Sequence, residues 1–308
     1  MRALVVVNHK ATTTTPRTLD VMLSALRHDL KLEVAETAHR GHAMELARAA
    51  RADEIDLVLA LGGDGTVNEV VNGLLAEPDG PRVPDLAVVP GGSTNVLARN
   101  LGIPGDPVEA TGLLLDAVRA NRRRPLGLGR LDDRWFTFCA GAGFDADVVR
   151  AVEERRAGGK RSTVGLYART AVRRFFAQPD RKRGPMTLER PGAEPVAGLV
   201  VAIITNTAPW TYLGRRPLNP TPRADFDRGL DLFALTKLGV PGTIRHVAEI
   251  TLAAGRGPRG RDVLVLHDQP EFVLRSEQPV PVQVDGDYLG EQTEMSLRAA
   301  SGALQVVC

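Results

Sequence analysis

Over roughly the first 120 residues, compact apolar runs alternate with apolar residues at helical spacing. Ala3 to Val7 is an unbroken apolar run of strand length. It is followed by Leu19, Met22, Leu23, Leu26 and Leu30, which fall on one face of a helix. Leu32 to Ala35 predicts a second strand; Ala43, Leu46, Ala47 and Ala50 predict a second helix. Ile55 to Leu61 and Asp85 to Val89 are two further apolar strands. Strand and helix in strict alternation define a doubly wound α/β domain, expected over residues 1–125.

From Leu126 the pattern changes. Leu126 to Leu131, Trp135 to Ala140, Met186 to Glu189, Leu199 to Thr205, Leu230 to Leu235, Val263 to Leu266 and Phe272 to Leu274 read as short strands. This density predicts a β-rich second domain, a sandwich, over residues 126–295. With 308 residues and 43% apolar content the chain is long enough for two cores. Its 39 basic and 37 acidic residues nearly cancel, so total charge gives no sign of a nucleic-acid binder. Two cysteines, Cys139 and Cys308, make a disulfide framework unexpected. The N-terminal run is too short for a signal peptide and no stretch reaches membrane-spanning length, so a cytoplasmic location is expected.

Chemistry enters where apolar strands run into glycine. Leu59-Ala60-Leu61 leads into Gly62, Gly63, Asp64, Gly65, Thr66, Val67, Asn68 and Glu69. Glycines without Cβ let backbone amides approach a polyphosphate, and a helix opening near Thr66 aims its positive end at the same charge. A carboxylate beside phosphates needs a cation between them, so Asp64 points to Mg²⁺. A second turn, Pro90-Gly91-Gly92-Ser93-Thr94-Asn95, follows the next strand. In a parallel sheet both turns lie at one edge and can converge on one ligand, with Gly92 in the turn and Ser93, Thr94 and Asn95 supplying hydroxyl and amide donors at the start of a new helix.

These paired motifs resemble the catalytic domain of the diacylglycerol kinase family, which includes bacterial lipid kinases and sphingosine-kinase-like members. The Gly-Gly-Asp-Gly-Thr motif with its following Asn-Glu is intact from Gly62 to Glu69. The second motif departs: Ser93 stands at the family's Thr position and Val96 replaces its final Asp. The resemblance implies an ATP-dependent lipid kinase using Mg²⁺, with diacylglycerol as the default acceptor. It also implies that a strand within about residues 296–308 returns to the first domain. Asn8 matches the family and Thr37 stands where it has a threonine near the nucleotide, whereas His9 departs and Lys10 is either a charge neutraliser or part of a polar loop.

The proton acceptor is sought in Val282-Gln283-Val284-Asp285-Gly286-Asp287, where the family carries Asp-Gly-Glu. Asp285 is the first choice and Asp287 the second; the competing reading is a hairpin turn, for which Asp-Gly is a strong signal. By resemblance, Asp227 with the carbonyls of Ala224 and Gly229 forms an oxygen site for a structural cation. Arg228, in the usual glycine position, keeps a metal-free turn open. Asp145 is a weaker addition to the acidic set. Residues 155–183 carry ten Lys or Arg and one acid, Asp180, with Val164, Tyr167, Ala171 and Phe175 on one helical face. Such a helix either lies on an anionic bilayer or packs on a sheet with solvated arginines. The expected partner is therefore a lipid substrate at an anionic membrane surface, with peripheral association; no nucleic acid is expected and homodimerisation stays open. The alternatives are an NAD-kinase-like enzyme, which shares Gly-Gly-Asp-Gly-Thr, and a lipid-binding regulator with catalysis impaired at Val96.

Overall fold

The computed structural model describes residues 1–8, 15–157, 164–177, 183–252 and 256–308, which divide into two compact units. One comprises Met1–Gly127 with Gly302–Cys308, the other Leu128–Ser301. His9 and Lys10, and from the basic stretch Lys160, Arg161, Arg181 and Lys182, lie outside the described residues.

In the first unit the order is β1 (Arg2–Val7), α1 (Pro16–Asp29), β2 (Lys31–Glu36), α2 (His42–Ala52), β3 (Leu57–Gly62), α3 (Asp64–Leu74), β4 (Asp85–Pro90), α4 (Val96–Asn100) and α5 (Pro107–Arg119). Thr15 caps α1 by accepting from the Thr18 amide, with Pro16 at the first helical position; Asp106 caps α5 in the same way. The strands pair in parallel in the order β2-β1-β3-β4. Strands β3 and β4 are buried throughout and β1 in all but its first residue, which is why they read as continuous apolar runs. Edge strand β2 has no buried residue. At the far edge of β4, Val306 pairs in parallel with Leu86.

The second unit contains β5 (Arg124–Leu131), β6 (Arg134–Phe136), β7 (Cys139–Gly143), α6 (Phe144–Ala157), α7 (Val164–Ala177), β8 (Met186–Arg190), β9 (Ala193–Leu199), β10 (Val201–Thr205), β11 (Thr211–Leu213), β12 (Arg216–Leu218), β13 (Leu230–Leu235), α8 (Val240–Leu252), β14 (Val263–Gln269), β15 (Glu271–Val284) and β16 (Asp287–Val306). Strands β5 and β16 contribute residues to both units. Antiparallel pairing runs β14-β13-β10-β7-β15-β16, and β8 joins the opposite end of β15. The chain is thus a mixed α/β protein with a large β component in its second unit.

Alternation along β10 and β13 separates two cores. Ala202, Ile204, Leu232 and Ala234 face one that includes Met186, Phe272, Val282 and Leu297. Val201, Ile203, Phe233 and Leu235 face another, covered by Phe175 of α7, with Phe144 and Ile250 packed on it. Tyr167 and Ala171 are half-buried and Phe175 is buried edge-on against Phe144, so the apolar face read for this helix is turned inward. The terminal strand expected within about residues 296–308 is the end of a 20-residue strand, and helices α6 and α8 carry no counterpart in the sequence reading.

Candidate active-site elements

Within the first unit, the C-terminal ends of β2, β1, β3 and β4 form one row of linked turns. The Thr37 amide donates to the Val7 carbonyl, the Asn8 amide to Leu61, and the Gly91 amide to Gly62. This row carries Thr37, Asn8, Gly62, Gly63, Gly92, Ser93 and Asn95 to one sheet edge. The two glycine turns touch through their backbones. A Cβ on Gly92 would stand 2.6 Å from the Gly63 Cα, and one on Gly63 would meet the Gly92 Cα at 3.2 Å. Any side chain at Gly92 would force the turns apart.

Helix α3 begins at Asp64, two residues before the expected Thr66, with Gly63 as its cap and no side-chain cap. The first-turn amides, including those of Gly65 and Thr66, have no partner within the helix, so the helix end is suited to an anion. Thr66 is buried and holds Asn8, whose Nδ2 donates to Thr66 Oγ1 at 2.9 Å. Val67 and Asn68 are buried; Asn68 receives hydrogen bonds from the Asn72 side chain. The Glu69 carboxylate accepts from the amides of Gly41 and Ala43, so it anchors the N-terminus of α2 to α3. Asn95 takes the left-handed conformation, φ 51°, and clamps its own turn: it accepts from the Gly92 amide at 2.9 Å and donates to the Gly92 carbonyl at 2.8 Å. Ser93 is exposed.

Half-buried Asp64 Oδ1 receives the Leu97 amide at 3.4 Å, which brings its carboxylate to the second turn. The donor set fits a nucleotide with a divalent cation. Magnesium is commonly held by one or two carboxylates together with substrate phosphates, so a single acid at the glycine cradle meets its needs even with Val96 buried in place of the second.

In the second unit Asp285 and Gly286 connect β15 to β16 with both φ angles positive, 47° and 85°, and Val284 pairs directly with Asp287. This is a two-residue hairpin turn of the Asp-Gly kind. Asp285 is buried, and its carboxylate accepts four hydrogen bonds, from the Thr137 amide and hydroxyl and the amides of Phe138 and Cys139, at 2.7 to 3.0 Å. Asp287, half-buried, is the first residue of β16.

Beside the turn, Gln283 donates to Asp145 at 2.9 Å and accepts from the Gly286 amide at 2.9 Å. Part of Asp145 meets solvent, but its carboxylate lies among protein atoms, and burial pushes its pKa up to about 6 against the opposing Gln283 bond. Burial likewise raises the Cys139 thiol, reinforced by the charges of Asp285 and Asp145. Gln283 and the Thr137-to-Cys139 strap escaped the sequence reading, since neutral side chains and backbone amides leave no motif.

Asp227 lies exposed in a loop, its amide donating to Asp225 Oδ1, with Ala224 buried and the Gly229 amide bound to Asp268 Oδ1 at 2.7 Å. Arg228 stands 4.0 Å from Asp268. Asp268 thus joins this loop from β14, and His267 meets the buried Asp231 at 2.7 Å. Among the described residues no three His, Cys, Asp or Glu side chains are grouped to hold a metal.

Residues 2–130 match the diacylglycerol kinase catalytic domain. A diacylglycerol kinase of Staphylococcus haemolyticus is 26% identical over 279 residues, 89% of this chain and 78% of that protein. A protein of Chromohalobacter salexigens described as a probable lipid kinase YegS-like is 28% identical over 260 residues, 83% and 77% of the two chains. A diacylglycerol kinase of Bacillus subtilis is 40% identical over 108 residues, which cover 35% of this chain and 33% of the relative. In fold, a solved diacylglycerol kinase structure from Bacillus anthracis matches with a TM-score of 0.69 at 20% identity, covering 99% of this chain and 96% of that one.

The chain thus carries a match to the diacylglycerol kinase catalytic domain over residues 2–130 and is similar over most of its length to proteins named diacylglycerol kinase and lipid kinase. It is a phosphotransferase of the ATP-dependent lipid kinase class.

Proposed function

We propose that this kinase transfers the γ-phosphoryl group of ATP to the free hydroxyl of diacylglycerol, giving phosphatidic acid and ADP. The observation that carries the reading is the backbone contact of two glycine turns at the edge of a parallel sheet, with Asp64 at the start of α3. Amides of the Gly62-to-Thr66 turn and the Gly92 turn hold the phosphates, and Asp64 positions the cation. Mg²⁺, when bound, neutralises phosphate charge.

Transfer forms a bond from the acceptor oxygen to the γ-phosphorus, breaks the bond from that phosphorus to the β–γ bridging oxygen, and moves the hydroxyl proton to a base. We assign the base to Asp287. Asp285 already accepts four hydrogen bonds, which occupy its lone pairs, so its part is to hold the turn that presents Asp287. Diacylglycerol is favoured over NAD by the relatives named diacylglycerol kinase across most of the chain. The purified chain, given ATP and Mg²⁺ with diacylglycerol, sphingosine, ceramide or NAD, is expected to phosphorylate diacylglycerol fastest. Preferential turnover of another acceptor would overturn the assignment.

A further inference from the structure

Helix α8 turns most of its large aliphatics to solvent. Its inward side carries Ile250, packed on the core beneath, with His246, buried, and Thr243, whose hydroxyl is buried. Its outward side carries Ile244, Val247 and Leu252, exposed by 66%, 54% and 66%. At 3.6 residues per turn Val240, Ile244 and Val247 fall within about 60° of one another. Helix α7 covers the same sheet face and repeats the feature, with Val172 and Phe176 exposed one turn apart.

Both apolar faces are bordered by positive charge. Arg169 and Arg173 are exposed on α7, which has no acid. From Lys237 to Arg261 the sequence has five basic residues and one acid, Glu249, which pairs with His246 and Arg245. The other arginines of the basic stretch that contact neighbours are directed into the protein: Arg155 donates to Thr170, and Arg174 pairs with Asp147 at 3.3 Å.

We propose that the outward faces of α8 and α7 form the surface by which the chain docks on an anionic bilayer. Ile244, Val247 and Phe176 enter the acyl boundary while Arg169 and Arg173 meet lipid phosphates. Exposed aliphatics bordered by arginine are what an interfacial helix presents to anionic lipid. A second copy seated on the same faces would set arginine against arginine, which opposes self-association. The purpose of docking rests on the lipid-acceptor reading; the surface itself is tested apart from it.

The test is flotation of the full chain with vesicles of phosphatidylglycerol and phosphatidylcholine, or of phosphatidylcholine alone. Ile244→Glu/Val247→Glu is expected to lower binding to the mixed vesicles at least about tenfold. Arg169→Gln/Arg173→Gln is expected to lower it by about fivefold per arginine, as about 1 kcal/mol for each basic residue implies, and only where anionic lipid is present. Unaltered thermal melts and unaltered transfer to a short-chain diacylglycerol in solution are expected, because these side chains are exposed. Wild-type-like flotation of both variants overturns the surface, as does self-association of the wild type that Ile244→Glu dissolves. Loss of flotation in the variants, with no lipid phosphorylated by any form, sustains the surface and removes the substrate assignment instead.

Discussion

Two short turns in this chain share the dipeptide Asp-Gly, Gly63-Asp64-Gly65 in the first unit and Asp285-Gly286-Asp287 in the second, yet they place the carboxylate before the glycine oppositely. Asp64 follows a parallel strand and opens a helix, so its carboxylate stays at the sheet edge, half-buried and 3.4 Å from the Leu97 amide. Asp285 closes an antiparallel hairpin, so its left-handed backbone turns the carboxylate back into the protein onto four donors from Thr137 to Cys139. The dipeptide does not set the role of an acid; the element that follows does. A helix leaves amides and a positive end beside the acid, whereas a returning strand brings neighbours that consume its hydrogen-bonding capacity.

The largest effect expected from this contrast is at Asp64. Asp64→Ala should reduce Mg²⁺-dependent transfer by about 10³-fold or more, since it removes the anchor for charge developing on the phosphates. Its denaturation midpoint should stay near that of the wild type, because the side chain lies at an edge. Near-normal turnover, measured at saturating ATP, would break the first half of the comparison.

The second half is sharpened at Asp287 and Asp285 together. Asp287→Asn should lower turnover by about 10² to 10⁴-fold with ATP affinity unchanged, as loss of a general base acts on the chemical step. Asp285→Asn should act mainly on stability, by about 2 to 4 kcal/mol in urea denaturation, because an amide nitrogen would face buried donors that now share a carboxylate. If Asp285→Asn keeps wild-type stability and loses turnover, while Asp287→Asn is active, the roles are exchanged.

Legibility in the sequence follows the same division. Strands β1, β3 and β4 are legible as apolar runs because burial on both faces removes any need for polar residues, and the glycine turns are legible because the close backbone approach they make demands glycine in the sequence itself. Strand β16 is not. Glu291, Gln292 and Glu294 make its middle polar, and its buried residues, Met295, Leu297, Leu304 and Val306, come only after that stretch. Helix α8 hides for another reason, since Ile244, Val247 and Leu252 point outward while His246 and Thr243 join Ile250 on the inward side, which blurs the pattern by which a helix is read. At the candidate site, the identity of Asp285 and Asp287 is legible, but what separates them is a strap 146 to 148 residues away in the chain. Long-range contacts of backbone amides leave no periodicity. The helical face of Tyr167, Ala171 and Phe175 is legible as apolar, while its direction depends on Phe144 and the sheet beneath it.

The smallest effect concerns Asp145, which Gln283 links to the Asp285 turn. Burial raises its pKa from 3.8 to about 6, so the folded chain favours the protonated form. The contribution to stability is therefore fully present below about pH 4 and is lost as pH rises through about 6, on the order of 1 to 3 kcal/mol across that window. Asp145→Asn carries no titrating proton and should lack this component. Urea midpoints of the wild type should fall relative to those of the variant between pH 4.5 and 8, and the variant should be the more stable form at pH 8. Parallel curves would show that the carboxylate is as well stabilised when charged as it is in water, and would place Asp145 with the exposed acids of the chain rather than beside the buried turn.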